Sequence, residues 1–551
     1  MKNGAKALLD TLTNLGVDTC FSNPGTSEMH FVAALDDSTI RSVLVLFEGV
    51  ATGAADGYAR IANKPAATLL HLGCGLGNGM ANLHNARKAR VPIVNIVGDH
   101  AFSHKEFDAP LESDIITVAK NVSSWIRVSQ TTDELAKDAA EAITVASSDP
   151  TQISTLILPA DVSWGEGGKA IESLELKKSP TVSDEKINEI AEVLSKYGKD
   201  VAILLGKRTL LEDGVIAAGK IAEKTGAKLF AETFPARLTR GAGLPFVERL
   251  AYMPEMLEIQ LRNFKHLVVI DSKSPVSFFA YPGKKGDLVP EGCQVHEFIS
   301  PSENAMDSLN LLVKKLDAEN IKPTLQEAKR PKLPSGKLTG EKVCQAIGAL
   351  MPDDTIICDE GQTSGVKLPY FTQGSPKHDV LTLCGGSIGM GTPLSVGASI
   401  AGKNRPVISL VGDGSAMYTI QSLWTIAREN LDVTTIIMNN KSYAILNIEL
   451  QRVGVDKVGE VAKSQLDLSK PEINFVSLAN GMGMEGEKVT TAEGFNDALK
   501  KALNKKGPYL IEAVIPNEYQ GLKLMALPHL LGIMDKIPTP IAKMVKKKFS
   551  P

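Results

Sequence analysis

Short runs of apolar residues recur along the chain, and each run has the length of a buried strand. Strands covered on both faces of a parallel sheet are apolar throughout, so such runs predict them. The runs are residues 67–72, 91–97, 155–158, 201–205, 267–270, 355–358, 407–411, 434–438 and 510–515.

Between these runs, apolar residues recur at the spacing of amphipathic helices, most clearly over residues 134–146 and 418–431. Residues 1–17 also predict an amphipathic helix, with Asp10 inside it, rather than a signal peptide. The alternation of strands and helices predicts an α/β fold built from doubly wound parallel sheets.

Two polar stretches rich in glycine and proline predict linkers, because such residues are costly to bury. The first begins with Gly165-Glu166-Gly167-Gly168 and runs to residue 184, and the second covers residues 317–338. They divide the chain into three α/β blocks and a tail. The predicted limits are residues 1–165, 185–318, 335–535 and, for the tail, 536–551.

Composition narrows the class of protein. The chain has 551 residues, 43% hydrophobic and 22% charged, and a formal net charge of −3. This composition is typical of a globular protein, and the slightly negative net charge gives no reason to expect a nucleic-acid partner. The longest late apolar run, residues 388–401, is too short and too interrupted to span a membrane. Six cysteines without a C-x-x-C pair favour a reducing cytoplasm over disulfides or a thiolate metal site.

The strand predicted at 407–411 ends in Gly412-Asp413-Gly414-Ser415, and the next strand ends in Asn439-Asn440. Glycines there allow backbone N–H groups to approach a ligand, and the following helix would begin at a point that suits a diphosphate. Parallel strands end at the same edge of a sheet, so Asp413 and Asn440 are expected to meet there. Their oxygens suit Mg²⁺. The alternative for Gly-Asp-Gly alone is a simple turn.

This arrangement is similar to the thiamin diphosphate (ThDP) motif. The chain resembles the acetolactate synthase / benzoylformate decarboxylase superfamily of ThDP enzymes over nearly its whole length. Besides the motif, the resemblance is carried by GVDTCFSNPGT (16–26), EGVATGAADGYAR (48–60), LPADV (158–162) and GPYLIE (507–512). It implies that the three blocks are, in order, a pyrimidine-binding domain, a middle domain and a diphosphate-binding domain.

The resemblance also implies a set of cofactor contacts. Asp413 and Asn440 would hold Mg²⁺ with their side chains, and Ser442 would do so with its backbone carbonyl. Ile388 matches the bulky apolar residue that supports ThDP in its bent conformation. The remaining residues matched to cofactor contacts are Gly25, Gln362, Thr363, Gly414, Ser415 and Tyr443.

Three residues are candidates for catalysis. Glu48 follows an apolar run, and a carboxyl group in such surroundings can carry a proton near neutral pH. Without the resemblance it would be a plain acid at a helix start; with it, Glu48 is expected to hydrogen-bond the pyrimidine ring. His71 matches an active-site histidine that can shuttle protons, the alternative being a buried histidine bonded to a backbone carbonyl. Thr26 matches a serine that contacts the substrate carboxylate.

Two departures from the family pattern affect the expected substrate pocket. The segment matching the second histidine of benzoylformate decarboxylase contains Phe278-Phe279, and the phenylalanine-glutamine pair of the synthases is replaced by Pro110-Leu111. Walls formed by Leu111, Phe278, Phe279, Ile388 and Ile445 would be apolar. Such a pocket suits an aliphatic or aromatic 2-oxo acid and favours loss of CO₂.

The leading hypothesis is a ThDP- and Mg²⁺-dependent 2-oxo acid decarboxylase or carboligase. The second is an acetolactate synthase that condenses two pyruvates, and the third is a catalytically silent, ThDP-binding regulatory paralogue.

FAD binding and assembly follow less directly from the resemblance. Synthases bind FAD along the middle domain, but the sequence contains no recognisable FAD signature, so FAD binding is left open. The resemblance further implies a homodimer or a dimer of dimers, because family members form the site from two subunits. The apolar tail segment 524–531 is a candidate lid.

Overall fold

The computed structural model describes residues 3–453, 455, 458–517, 538, 540–542 and 544. The candidate lid and most of the tail lie outside the described residues. Three sheets, parallel except for one edge pairing, confirm the predicted α/β fold class. No helix in the described part of the chain is both long enough and apolar enough to cross a bilayer. None of the six cysteines, all of which lie in the described residues, forms a disulfide.

The first lobe contains a sheet of six parallel strands. Its strands are β1 Thr19–Asn23, β2 Arg41–Leu44, β3 Ala66–Leu70, β4 Ile93–Asp99, β5 Trp125–Val128 and β6 Ile153–Pro159. Its helices are α1 Gly4–Asn14, α2 Met29–Ala34, α3 Glu48–Ala62, α4 Leu72–Lys88, α5 Ile115–Ala119, α6 Thr132–Ser147 and α7 Ala160–Trp164. The strand order is β2-β1-β3-β4-β6-β5. One apolar core lies against α1 and α6, and the other is shared with the third lobe.

The middle lobe is a smaller parallel sheet with the order β10-β8-β7-β11-β12. Its strands are β7 Val201–Leu205, β8 Lys228–Ala231, β10 Glu248–Arg249, β11 His266–Ile270 and β12 Gln294–Ile299. Its helices are α8 Asp184–Tyr197, α9 Glu212–Thr225, α10 Pro254–Leu261 and α11 Ala305–Lys315. One strand from this stretch of chain, β9 Leu238–Arg240, leaves the lobe and joins the third sheet.

The third lobe has seven strands in the order β17-β18-β16-β15-β13-β14-β9, and only the β14–β9 pairing is antiparallel. Its own strands are β13 Ile356–Glu360, β14 His378–Thr382, β15 Val407–Gly412, β16 Val433–Asn439, β17 Glu485–Val489 and β18 Tyr509–Val514. Its helices are α12 Gly340–Leu350, α13 Gln362–Gly365, α14 Leu368–Phe371, α15 Gly391–Gly402, α16 Asp413–Ala416, α17 Ser422–Arg428, α18 Ala444–Arg452, α19 Glu460–Ser464, α20 Phe475–Gly481 and α21 Ala492–Lys505. The predicted domain limits stay a prediction.

All nine predicted strands are present, each within two residues of its predicted ends. The predicted helix 418–431 is wrong in extent, since α17 covers only its middle. Thr419 explains the late start, because its side chain donates to the carbonyl of Gly389 at 2.8 Å. Its own carbonyl accepts a hydrogen bond from Ser422 Oγ at 2.8 Å. These bonds hold the preceding residues in turns instead of a helix.

The first and third lobes meet where α3 and α15 cross with their backbones in contact. A Cβ at Gly57 would collide with the carbonyl oxygen of Leu394, and a Cβ at Gly397 would collide with that of Ala54. Only glycine permits this approach. The crossing therefore brings the start of α3 beside the loop that precedes α15.

A buried arginine reinforces this junction. Arg60, on α3, forms an ion pair with Asp56 at 2.7 Å. Its Nη1 donates to the carbonyls of Ala236 and Thr382. The buried charge is thus paired with a carboxylate and hydrogen-bonded inside the protein, which is the condition under which a buried arginine is tolerated. Arg60 thus ties the first lobe both to the third sheet and to the segment that leads into β9.

The middle lobe is joined to the first lobe at the carboxyl edge of its sheet, between β7 and β11. Arg90 donates to Asp271 Oδ1 and to the Asp271 carbonyl, each at 2.6 Å. Lys207 Nζ donates to the carbonyl of Arg90 at 2.6 Å. A Cβ at Gly206 would lie 2.6 Å from Glu232 Oε1. Charged side chains therefore fill the crevice between these strand ends.

The buried His378 predicts a stability that falls in acid. It is 1% exposed at the start of β14, with Nδ1 2.7 Å from the carbonyl oxygen of Pro376. Burial and the nearby Arg240 lower its pKa to about 3. The folded protein keeps the ring neutral, whereas the unfolded chain takes up a proton below pH ~6.5. The contribution to stability is complete above that pH and is lost as the pH falls toward 3, at ~1.4 kcal/mol per pH unit.

We expect His378→Asn, whose amide can still donate to Pro376, to melt below the wild type at about pH 7.5. The difference in melting temperature should shrink as the pH is lowered to about 5.5, because only the wild type contains the histidine. Thermal melts of both proteins at the two pH values measure this. A difference that does not change with pH would contradict the assignment.

Candidate active site

Asp413 and Asn440 lie at the carboxyl ends of the neighbouring parallel strands β15 and β16. Asp413 Oδ2 accepts the N–H of Lys441 at 2.6 Å, and Asn440 Oδ1 accepts the N–H of Ser442 at 2.9 Å. Lys441 adopts a left-handed conformation with φ 59°, which tightens the turn. Asp413 is thereby bonded to the turn that contains Asn440 and Ser442, the other two residues matched to metal ligands.

The environment of Asp413 suits a divalent cation. Its side chain is buried, and burial raises its pKa to about 6. Backbone N–H groups stabilise the carboxylate, and no lysine, arginine or histidine among the described residues forms an ion pair with it. A buried carboxylate without a cationic partner is costly. Together with the Asn440 amide oxygen and the Ser442 carbonyl it offers the all-oxygen ligand set that Mg²⁺ prefers, so the residues fit this ion.

Two further segments flank the turn at residues 440–442. Gln362 has a left-handed φ of 45° at the end of β13, and the adjacent Ser364 Oγ accepts a hydrogen bond from Asn440 Nδ2 at 3.2 Å. On the other side, the ring of Tyr443 packs directly on Gly414, where a Cβ would overlap it. The residues matched to diphosphate contacts thus lie on the turns beside the metal residues: Gln362, Thr363, Gly414, Ser415 and Tyr443.

The loop that carries Ile388 is held by helix α4 of the first lobe. Asn85 Nδ2 donates to the carbonyl of Ser387 at 2.8 Å. Asn82 Nδ2 bonds both the carbonyl of Gly389, at 3.3 Å, and that of Gly49, at 2.8 Å. Within one chain, therefore, a single amide links the Ile388 loop to the start of α3, where Glu48 lies.

Glu48 is 8% exposed, and its Oε2 accepts a hydrogen bond from Asn78 at 3.0 Å. A Cβ at Gly75 would lie 3.2 Å from Glu48 Oε1 and 3.5 Å from the Cβ of His71. Glu48 and His71 are therefore neighbours across Gly75. Three asparagines of α4, Asn78, Asn82 and Asn85, bond Glu48 or the Ile388 loop through their side-chain amides. These residues were not predicted from the sequence, although their spacing places them on one helix face.

His71 pairs with an acid that sequence analysis also missed. Its Nδ1 lies 2.9 Å from Oε2 of the fully buried Glu28. The same oxygen accepts the N–H of Gly25 at 2.6 Å, and the imidazole ring rests on the Gly25 backbone. The structure thus pairs His71 with a carboxylate, and no backbone carbonyl of the described residues is bonded to its ring. Thr26 is exposed at the start of the turn that carries Glu28.

The four other residues expected to form the substrate pocket lie in different surroundings. Phe278 packs on the Ile388 loop, where a Cβ at Gly386 would be 2.6 Å from the ring, and Phe279 contacts Phe278 with ring centroids 5.4 Å apart. Leu111 is 41% exposed on a loop whose neighbouring residues line a polar cavity of about 360 Å³. Ile445 packs against an apolar core of the middle lobe.

Two protein-family models match the first and third lobes, which contain the candidate site residues. Residues 2–119 match the family model described as "Thiamine pyrophosphate enzyme, N-terminal TPP binding domain". Residues 359–513 match "Thiamine pyrophosphate enzyme, C-terminal TPP binding domain". The two matches contain Glu48 and His71 in the first lobe, and Ile388, Asp413 and Asn440 in the third.

Similar proteins align along nearly the whole chain. The IlvX protein of Mycobacterium tuberculosis, assigned provisionally as an acetolactate synthase large subunit, is 53% identical over 94% of this chain and 99% of its own. The benzoylformate decarboxylase of Pseudomonas aeruginosa is 28% identical over 93% and 98% of the two chains. The solved structure of a thiamine diphosphate-dependent 4-hydroxybenzoylformate decarboxylase from Rhodococcus jostii RHA1 superposes with a TM-score of 0.82 at 25% identity, covering 94% and 99%.

Proposed function

The chain belongs to the thiamine pyrophosphate enzyme family, and we propose that it uses ThDP and Mg²⁺ to decarboxylate a 2-oxo acid. The retained carbon unit would leave as an aldehyde or be joined to a second carbonyl compound. The observation that carries this proposal is the buried Asp413 carboxylate, which has no cationic partner among the described residues and bonds the turn that contains Asn440 and Ser442. The Asn82 amide bonds the carbonyls of Gly49 and Gly389, so within each chain it fixes the start of α3, which carries Glu48, relative to the loop of Ile388.

The turns of the third lobe would bind the cofactor. Asp413, Asn440 and Ser442 would hold Mg²⁺, and Ile388 would support the bent conformation. When bound, ThDP supplies an electron sink for decarboxylation. Contacts to the cofactor would come from Gly25, Gln362, Thr363, Gly414, Ser415 and Tyr443. Glu48 would hydrogen-bond the pyrimidine ring, with its carboxyl group oriented by Asn78.

Proton transfer would fall to His71. Its Nδ1 is engaged by Glu28, so the free Nε2 would accept or donate the proton at the reacting carbon. Thr26 would bind the substrate carboxylate. The exposed rings of Phe278 and Phe279 favour an apolar 2-oxo acid, and apolar surroundings disfavour the bound carboxylate relative to CO₂.

An acetolactate synthase is the second candidate, supported by the 53% identity with the IlvX protein. The residues at Pro110-Leu111 differ from the synthase pattern and favour the first candidate.

On the resemblance we also propose a homodimer or a dimer of dimers. The large exposed apolar side chains of Leu46 and Phe107 on the first lobe support a partner surface there. The six cysteines, none of which is in a disulfide, suit a cytoplasmic location.

Product analysis tests the proposed function. The protein is supplied with ThDP, Mg²⁺ and a panel of aliphatic and aromatic 2-oxo acids, and products are identified by mass spectrometry. We expect CO₂ with an aldehyde or a ligated hydroxyketone from an apolar acid, and at least ~100-fold slower turnover for Glu48→Gln at unchanged melting temperature. Acetolactate from pyruvate alone would favour the second candidate. A wild type that binds ThDP but turns over no acid would contradict catalysis and favour a regulatory paralogue.

The His71–Glu28 pair predicts non-additive effects on turnover. His71→Ala and Glu28→Gln should each lower kcat by ~10-fold or more, because each removes part of one proton-transferring unit. The double variant should be no slower than His71→Ala alone. Steady-state kinetics on the preferred acid, with melting temperature as the control for folding, measure this. Effects that multiply would show that Glu28 acts independently of His71.

We propose that the middle lobe binds no FAD. Ligands of open α/β sheets enter the crevice at the carboxyl ends of the strands where the strand order reverses, which here is the crevice between β7 and β11. Arg90, Asp271 and Lys207 occupy it. We therefore expect the purified protein to show no flavin absorbance near 450 nm, and added FAD to leave its melting temperature unchanged. A yellow protein would contradict this.

A further inference from the structure

Glu360 is a fully buried acid that sequence analysis did not single out. It ends strand β13, and its two carboxylate oxygens accept three backbone N–H groups of one segment. Oε1 accepts from Gly389 at 2.6 Å and from Met390 at 3.3 Å, and Oε2 accepts from Gly391 at 2.8 Å. The segment begins one residue after Ile388 and opens helix α15.

The three backbone N–H groups are the main interactions that offset the cost of burying this carboxylate. No cationic side chain among the described residues pairs with Glu360, and burial raises its pKa to about 7. The first N–H groups of a helix have no partner within the helix, and the helix dipole favours a negative charge there. Glu360 and the start of α15 therefore satisfy one another, and the bond joins two separate elements of the lobe.

The loop around Ile388 is consequently fixed from two sides. The carbonyls of Ser387 and Gly389 accept from Asn85 and Asn82 of the first lobe. The N–H groups that follow donate to Glu360 of the third lobe. Removing Glu360 would leave the first-lobe contacts in place but free the loop from β13.

We infer that Glu360 is a positioning residue that fixes the Ile388 loop relative to the turn at Gln362 and Thr363. That turn follows Glu360 directly along the chain, so one side chain connects two groups of expected cofactor contacts. This inference rests on the proposed function, because the roles of Ile388, Gln362 and Thr363 do. Glu360 itself is not assigned a contact with substrate or cofactor.

The test compares Glu360→Gln with Asp379→Asn. Asp379 is a buried carboxylate of the same sheet, on β14, and its ion pairs with Arg237 and Arg405 lie outside the turns that carry the expected cofactor contacts. Calorimetry gives the Kd of ThDP in the presence of Mg²⁺, and hydrogen exchange followed by mass spectrometry reports on residues 385–395. Glu360→Gln keeps the shape but places an N–H₂ group against backbone N–H donors.

We expect Glu360→Gln to raise the Kd of ThDP at least tenfold and to speed exchange in residues 385–395. Asp379→Asn should lower the melting temperature without either effect. If Glu360→Gln does not fold, Glu360→Asp, which keeps the charge with a shorter reach, should show the same two changes. ThDP binding within twofold of the wild type, or equal weakening in Asp379→Asn, would overturn the inference. A wild type that does not bind ThDP would overturn the proposed function, while unchanged exchange in Glu360→Gln would overturn the positioning role alone.

Discussion

Contact between the backbones of α3 and α15 is the constraint on which the candidate site depends. Gly57 and Gly397 allow each helix to touch a carbonyl of the other, and any larger residue would separate the two helices. Glu48 begins the first helix, and the loop of Ile388 leads into the second. Packing between the lobes therefore fixes Glu48 relative to the loop of Ile388 within each chain, and a site formed from two subunits would depend on that spacing in both.

Buried polar groups then fix the details of the site. Asparagines on one face of α4 bond Glu48 and two carbonyls of the Ile388 loop. Two buried carboxylates of the third lobe, Asp413 and Glu360, have raised pKa values and rely on backbone N–H groups. They differ in their surroundings: Glu360 faces the start of α15, whereas Asp413 lies beside the turn of Asn440 and Ser442, whose oxygens suit a cation. On the proposed function, a buried carboxylate would fix a loop in the first case and bind a metal in the second.

Sequence could predict the fold and the proximity of Asp413 to the turn of Asn440, because both leave a local signal. Central strands such as 201–205 are apolar throughout and were predicted, whereas the edge strands Arg41–Leu44 and Glu485–Val489 are partly exposed, carry polar residues and were missed. The central strands Thr19–Asn23 and His378–Thr382 were missed as well, because they are buried but contain polar residues. Asp413 could be found because it follows the predicted strand 407–411. Glu28 could not, because its partner His71 is 43 residues away and only the sheet brings them together. The link between Asn82 and Gly389 spans 307 residues and depends on the packing of two lobes.

The most direct test of the account is a crystal structure of the protein grown with ThDP and Mn²⁺, which replaces Mg²⁺ and gives an anomalous signal. The account predicts a metal peak bonded to Asp413, Asn440 and the carbonyl of Ser442, with the diphosphate on the same ion. It also predicts the pyrimidine ring against a Glu48 carboxyl group and Ile388 beneath the bend. A metal peak elsewhere, or a diphosphate remote from Asp413 and Asn440, would contradict it.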